Sequence, residues 1–555
     1  MSAVTAAPAQ VPAAARGGGT LTGTGSLMRF VLRRDRVRLA VWAGSVVLFY
    51  AYFTFALDTV FADPAAQQGR AAVMETPAGI VMGGPGYGID DYTTGVAIAN
   101  EGITWMVMAL AIMSILHVVR HTRAEEESSR SELVRAAVVG RHAPATAAFA
   151  TLVLAQAVIA LLGALVMVGV GEDMGLVDSL GVTVGSGLSA LVFGAVAVVF
   201  CQLMEHGRGA TGASLAVFGL AFVVRAAGDM RELGGSTLSW FSPLAWAQQM
   251  RSFVDLRWWP ALLSVAAIGL LLWLGAVLAS RRDFGGGMIA SRGGRADARP
   301  MLRGPVALAW LQQRGPLVWS CLGLGLMWYA TGTLMPEIGT MIGDLVTENP
   351  AAGQIFGDDP SVLGVTFLGV MLLFAALCCA GYAVVVGARP KGEESEGRVE
   401  LALSTPVSRS RWLGSNLAVA VAGTVVLLAV SVYGMWLGAV SVGWDDQAFG
   451  AYSQALVTYL PAVLIFSALT AALFAWAPRA TGIAWALVAY TFVVGMFGDV
   501  FDLPQWAFRL SPFDWVPAPF TADVDWAHVG GLCAVALVLF VLAFVGFRRR
   551  DIATR

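Results

Sequence analysis

Long apolar runs separated by short stretches of charge dominate this chain of 555 residues. Crossing a hydrocarbon core of ~30 Å takes about 20 helical residues. Runs of that kind fall at 39–57, 95–119, 145–170, 180–204, 209–227 and 259–280, then at 316–335, 362–387, 415–440, 453–476, 480–497 and 527–547. The pattern predicts an all-α polytopic membrane protein with twelve transmembrane helices, six in each half. Hydrophobic residues make up 57% of the chain and charged residues 13%, a balance that excludes a water-soluble fold of this length.

The polar positions carry a second message, because they repeat. EEESSRSELVRAAVVGR at 125–141 aligns without a gap on EESEGRVELALSTPVSR at 393–409, with seven identities in seventeen, most of them charged. ATGASLAVFGLAFVVRAAGD at 210–229 lies over ATGIAWALVAYTFVVGMFGD at 480–499, nine identities in twenty. Shorter echoes follow: Ser242-Pro243-Leu244-Ala245-Trp246 over Ser511-Pro512-Phe513-Asp514-Trp515, and Arg281-Arg282-Asp283 over Arg549-Arg550-Asp551. The chain therefore reads as two fused homologous halves: a disordered N-terminal tail at 1–24, a first six-helix half at 25–282, a linker at 283–303 and a second six-helix half at 304–555.

Six spans per half put both copies of the charged segment on one side. All but six of the 35 Arg and Lys residues fall in the tails and connections of that side; Arg70, Arg225, Arg231, Arg251, Arg257 and Arg509 are the exceptions. By the positive-inside rule the termini, the linker and both charged segments are expected in the cytoplasm, and the protein in the cell membrane. The formal net charge of −2 adds nothing once this distribution is known, and no nucleic-acid partner is expected. Cys201, Cys321, Cys378, Cys379 and Cys533 all fall inside predicted spans and read as inert apolar residues. No His, Cys or carboxylate cluster is read as having metal-ligand spacing, so no metal site is expected, and no paired intramembrane carboxylates suggest acid–base catalysis.

In the second charged segment Val399, Ala402, Leu403 and Pro406-Val407 form an apolar stripe at helical spacing, with Glu396, Arg398 and Glu400 pointing elsewhere; Leu133, Ala136, Ala137 and Gly140 make the matching face in the first. Such a stripe suits a short helix lying in another protein's groove, or else a loop helix folded on its own bundle. A charged segment of this kind after the second span of a six-span unit resembles the coupling-helix region of ABC-type export permeases. With the doubled length and the Ser-Pro-x-x-Trp segments, the chain is similar over essentially its whole length to the fused membrane subunits of actinobacterial exporters of polyketide antibiotics and other drugs. The first copy departs from the pattern, with Ala137-Val138-Val139-Gly140 where Thr405-Pro406-Val407-Ser408 stands in the second.

That resemblance implies contacts to an ATPase through Glu125, Glu126, Arg130, Glu132, Leu133 and Arg141, and through Glu393, Glu394, Arg398, Glu400, Leu401, Pro406 and Arg409. It implies a substrate pathway near Asn100, Glu101, Phe222 and Phe492, and an outer gate at Asp229, Pro243, Trp246, Asp499, Pro512 and Trp515. Read from residues alone, the gate segments suit an aromatic belt equally well, and Glu101 lies at the outer end of its span, either in a pathway or at a hydrated mouth.

A phosphate-binding loop ends in Gly-Lys-Ser/Thr, yet Lys391 is the only lysine and precedes Gly392-Glu393. The resemblance thus implies a separate nucleotide-binding subunit, two copies per permease, that carries ATP and Mg; no catalytic residue and no cofactor are expected on this chain. A lipophilic drug would enter from the cytoplasm or inner leaflet. An ion-coupled secondary drug transporter is the alternative, since that class too can be built of two parallel six-span halves; few intramembrane charges are available for an ion relay.

Overall fold

A computed structural model describes residues 19–60, 64–75, 77–128, 138–283, 285–289, 297–298, 300, 302–335, 360–444, 447–498, 503–517, 520 and 524–551. The chain divides into two compact units, Met1–Gly294 and Arg295–Arg555. Among the described residues the structure is helical, apart from one isolated β-bridge between Met204 and Ile289.

The first unit opens with a short helix, α1 (Thr24–Arg34), that turns at Asp35 into the first long helix, α2 (Arg36–Val60). The second span begins with a four-residue turn, Thr94–Ala97, passes through a π-helical segment at Ile98–Gly102 and continues as α3 (Ile103–His121). A five-residue helix, α4 (Arg123–Glu127), starts the charged segment. Four more elements follow: α5 (Ala143–Val170), α6 (Leu176–Leu203), α7 (Gly207–Asp229) and, after the short α8 (Pro243–Gln248), the closing helix α9 (Trp259–Arg281). At the centre stands α6, which is almost wholly buried, with Gly181, Gly185, Ser186, Gly187, Ser189 and Gly194 on its packed surface. Small residues let neighbouring helices approach closely where lipid supplies no hydrophobic drive for association. The outer helices instead expose apolar side chains such as Leu48 and Phe55 of α2 and Leu262, Leu270 and Trp273 of α9. A helix apolar all round is placed in lipid.

The second unit runs α10 (Pro305–Gly332), α11 (Pro360–Gly387), α12 (Arg389–Ser395), α13 (Arg398–Leu403), α14 (Arg409–Ser441), α15 (Phe449–Trp476), α16 (Ile483–Phe497), α17 (Gln505–Arg509) and α18 (Trp526–Arg549). Helices α10 and α14 meet backbone on backbone. A side chain at Gly332 would collide with the Met435 carbonyl oxygen, and one at Gly438 with that of Tyr329.

Ten of the described helices are long and apolar enough to cross a membrane, so the molecule is a polytopic membrane protein. Six belong to the first unit and four to the second. The two other expected spans coincide with α10 and α16. The first is 28 residues long but diluted by Trp, Tyr, Ser and Gly, and the second has only 15 residues.

Candidate functional site

The described residues of both copies of the charged segment sit at the end of their unit where arginines collect, and there the repeated residues do the same job twice. In the first unit Glu126 pairs with Arg282, at the end of the sixth span, at 2.6 Å. Arg141 Nη2 donates to the carbonyl oxygens of Ala279 (2.6 Å) and Arg282 (3.0 Å). In the second unit the aligned residues repeat both contacts: Glu394 pairs with Arg550, and Arg409 Nη1 donates to the Arg550 carbonyl oxygen at 2.7 Å. Two separate echoes of the sequence, the charged segment and the terminal Arg-Arg-Asp, are thus the halves of one clamp between the loop after the second span and the end of the sixth. Charge-assisted bonds of this kind are about twice as strong as neutral ones.

Further contacts fix the loops. Arg123, 1% exposed at its side chain, donates to Glu126 (2.7 Å) and to the carbonyl oxygens of Glu205, Gly285 and Gly286. Glu125 pairs with Arg34 of α1 at 2.5 Å, and Glu127 accepts from the Gly207 backbone N–H, the first of α7, also at 2.5 Å. In the second unit Glu393 is buried and forms a two-pronged pair with Arg398, both contacts 2.7 Å. Lys391 donates to Thr481 Oγ1 at 2.6 Å and Arg389 to the Gln312 carbonyl oxygen at 2.7 Å.

These contacts change the reading of the expected docking stripe. Val399 is buried, and with Ala402, Leu403 and Val407 it packs on Trp412, Leu413, Leu417 and Phe474 of its own bundle. The stripe faces inward because those apolar side chains find a ready apolar surface on α14 and α15. What α13 and the turn after it present outward is the other edge, Glu400 and Leu401 on the helix and Ser404, Thr405 and Pro406 beyond it, where Leu401 is 73% exposed. Glu125, Glu126, Arg141, Glu393, Glu394, Arg398 and Arg409 are engaged inside their own units; of the expected contact residues in the second copy, Glu400, Leu401 and Pro406 stand free. Arg130, Glu132 and Leu133 lie outside the described residues, as does Asp499.

At the opposite, tryptophan-rich end of the first unit, Asn100 is fully buried. Its Oδ1 accepts from the Gly86 and Tyr87 N–H groups (3.2 and 3.4 Å) and its Nδ2 donates to Tyr87 and Val96 carbonyl oxygens. Glu101 takes a two-pronged bond from Arg70 (2.9 and 2.5 Å) and a third from Tyr92 Oη (2.9 Å). Burial, joined by the Glu101 charge, pushes the Tyr92 phenol far above its usual range, so it stays a donor. Phe222 lies beneath the Arg225 guanidinium, 4.9 Å from its ring centre, and Phe492 of the second unit stands against Phe374. Arg225, fully buried, donates to the Ile80 and Val81 carbonyl oxygens (2.9 and 2.7 Å) and lies 3.6 Å from Asp229, which accepts from Ser239 Oγ at 2.5 Å.

The Ser-Pro-x-x-Trp segments close in the same way in both units. Pro243 opens α8, and Trp246 Nε1 donates six residues back to the Trp240 carbonyl oxygen at 2.7 Å; after Pro512, Trp515 Nε1 donates six residues back to that of Arg509 at 2.9 Å. Each segment of the expected gate thus carries a local indole lock.

One group was missed by the sequence reading. Asp35, His117 and His121 come together, all buried, with candidate ligand atoms within 4.8 Å of one another. The signal was there as two histidines four apart near the end of the second span, but their partner, Asp35, lies more than 80 residues away along the chain. Burial would raise the Asp35 carboxyl, yet the bond to His121 and the charges of His121 and Arg120 outweigh it and hold it below its ordinary value.

Among the described residues, a helical bundle with loops clamped in register at the arginine-rich end of each unit defines a polytopic membrane protein. Residues 302–548 match the family described as "Multidrug efflux system permease Rv1217c, C-terminal domain". Over 556 residues, 99% of this chain and 98% of the relative, the chain is 36% identical to the multidrug efflux system permease protein Rv1217c of Mycobacterium tuberculosis (strain ATCC 25618 / H37Rv). The chain belongs to this family of multidrug efflux permeases.

Proposed function

We propose that the chain is the membrane-spanning permease of an ATP-driven exporter that extrudes lipophilic drugs, polyketide antibiotics among them, from the cytoplasm or the inner leaflet. In this reading it sits in the plasma membrane with its arginine-rich ends and both termini in the cytoplasm. The observation that carries drug export is the end-to-end likeness to a protein named a multidrug efflux system permease. ATP drive is supported by α13, a short helix whose inner edge is anchored in the bundle and whose outer edge offers an exposed leucine between a glutamate and a proline. An exposed apolar residue on an anchored helix is a natural plug for a groove on a partner. That partner would be a separate nucleotide-binding subunit, two copies per permease, holding ATP and Mg.

The permease needs no catalytic group in this scheme. Its walls need only bind drug differently in two states whose balance the ATPase shifts. The test is reconstitution in proteoliposomes with the candidate ATPase subunit. Expected are no ATP hydrolysis by the chain alone, drug-stimulated hydrolysis by the complex, and drug movement that requires ATP. Drug movement by the chain alone, driven by an imposed proton or sodium gradient, overturns the ATP reading and favours an ion-coupled transporter.

A further inference from the structure

We propose that Asp35, His117 and His121 form a binding site for a divalent transition-metal ion of the zinc class at the arginine-rich end of the first unit. His117 and His121 are one helical turn apart near the end of α3, so their rings stand on one face, 4.7 Å between centres. Asp35 enters from the elbow between α1 and α2, its Oδ2 2.8 Å from His121 Nε2. The three residues are 3%, 5% and 6% exposed, and their ligand atoms all lie within 4.8 Å. Two imidazoles and one carboxylate make a nitrogen-rich donor set, which suits zinc, cobalt or nickel rather than magnesium or calcium, whose ligands are oxygens.

Two further observations point to a ligand. His117 Nε2 is 3.2 Å from the Ala148 carbonyl oxygen. A ring N–H donating there leaves Nδ1 with the lone pair, the arrangement by which metal-binding histidines are commonly oriented. There is also a way in. A cavity of about 300 Å³ beneath α1 has His121 in its wall, beside Arg34, Arg141, His142 and Gln202. Water in that cavity would supply the fourth ligand of a tetrahedral site.

Arg120 also approaches Asp35, at 3.2 and 3.3 Å, but its side chain is 40% exposed and can turn outward when a dication takes its place. Zinc–nitrogen bonds near 2.1 Å set ligand atoms roughly 3.4 Å apart, so the His121–Asp35 contact must open by about half an ångström. The ion replaces the proton that His121 shares with Asp35, and that proton leaves. Once bound, the ion would fasten the α1–α2 elbow to the end of α3, two residues before Arg123 begins the clamped loop.

The chain has only five histidines, which makes the test clean. The full-length protein is purified through a tag without histidine and titrated with Co²⁺ alone, then with Zn²⁺. Expected are one Co²⁺ per chain with the visible bands of a tetrahedral site, displacement by one equivalent of Zn²⁺, and a melting temperature raised by Zn²⁺. His117→Gln and His121→Gln should each weaken Co²⁺ binding by about 100-fold or more, since loss of a supporting partner alone costs 10- to 100-fold; His528→Gln should leave it unchanged. The proposal is overturned if the folded wild type takes up no stoichiometric Co²⁺, or if the His117→Gln/His121→Gln double variant binds as well as wild type. Should those variants fail to fold, the wild type decides: no rise in its melting temperature with Zn²⁺ overturns the site.

Discussion

Replacing Arg550 with glutamine strikes the clamp of the second unit, because three contacts end on one guanidinium. It pairs with Glu394, donates to the Phe474 carbonyl oxygen at 2.7 Å and lies 4.9 Å from the centre of the Phe474 ring. Both members of the ion pair are mostly shielded, Arg550 being 18% and Glu394 13% exposed at the side chain. Hydrogen bonds to charged groups are worth about 1.5–3 kcal/mol each. The freed carboxylate and carbonyl recover some water at the rim, so a local cost of about 2–4 kcal/mol is expected. The loss is local because Val399 still holds α13 in its apolar seat and the Arg409 bond runs to the Arg550 backbone, which the substitution keeps. At about 1.4 kcal/mol per factor of ten, amides of 393–404 should exchange hydrogen roughly 30- to 1000-fold faster, with the membrane helices unchanged. In the proposed complex with an ATPase subunit, ATP hydrolysis should persist while drug export falls. Arg550→Lys, which keeps the charge and loses the fork, should be intermediate. If exchange at 393–404 stays within threefold of wild type in a folded Arg550→Gln protein, the clamp does not hold the loop and the reasoning fails.

Leu401→Glu should alter stability by less than about 0.5 kcal/mol, since the side chain is 73% exposed, yet abolish co-purification with the proposed ATPase subunit; unimpaired capture and export would remove the outer edge of α13 as the docking point. Arg225→Leu leaves Asp229 buried with Ser239 alone, which should cost about 3–5 kcal/mol and lower the denaturant midpoint of the purified protein; a midpoint equal to that of wild type would contradict the buried pair. Glu101→Gln and Arg70→Gln should each cost about 1–2 kcal/mol of stability and so lower the same midpoint, with the double variant costing less than the sum. If instead Glu101→Gln alone changes the spectrum of exported cationic drugs while Arg70→Gln does not, Glu101 acts on substrate rather than as Arg70's partner.

Hydropathy made most of the helices legible, because a lipid-spanning segment must be apolar over its whole length, and that constraint is written locally. The exceptions follow from the same rule: α10 carries Trp319, Trp328 and Tyr329 among glycines, and α16 is short. The repeat was legible too, and the described residues it singled out form the same clamp in each unit. Their contacts within the unit were not legible, because charge looks the same in sequence whether it faces a partner or an arginine more than 100 residues away; Glu394 and Arg550 are 156 positions apart. Helical spacing found the stripe of Val399, Ala402 and Leu403 correctly, but spacing cannot tell which apolar surface the stripe will meet. The Asp35–His117–His121 group escaped for a similar reason, its carboxylate coming from a different helix junction.

The clamp bears on how a loop helix could work as a lever, because a push is transmitted only through parts that do not yield. In the first unit three successive glutamates fasten the loop to three different elements: Glu125 to Arg34 of α1, Glu126 to Arg282 after α9, and Glu127 to the first N–H of α7, where a helix terminus favours negative charge. The second unit has Ser395 where the third glutamate stands, yet the junction before its fifth span is still held, by Lys391 reaching Thr481 from the other side of the same loop. Different residues thus secure the same junction in the two halves, while the bond to the end of the sixth span is kept unchanged in kind. A loop tied to the start of the fifth span and the end of the sixth moves with them. Force applied at the outer edge of α13 would then reach those two helices as well as the second span from which the loop descends, and beyond them the tryptophan-locked segment that joins the fifth span of that unit to its sixth.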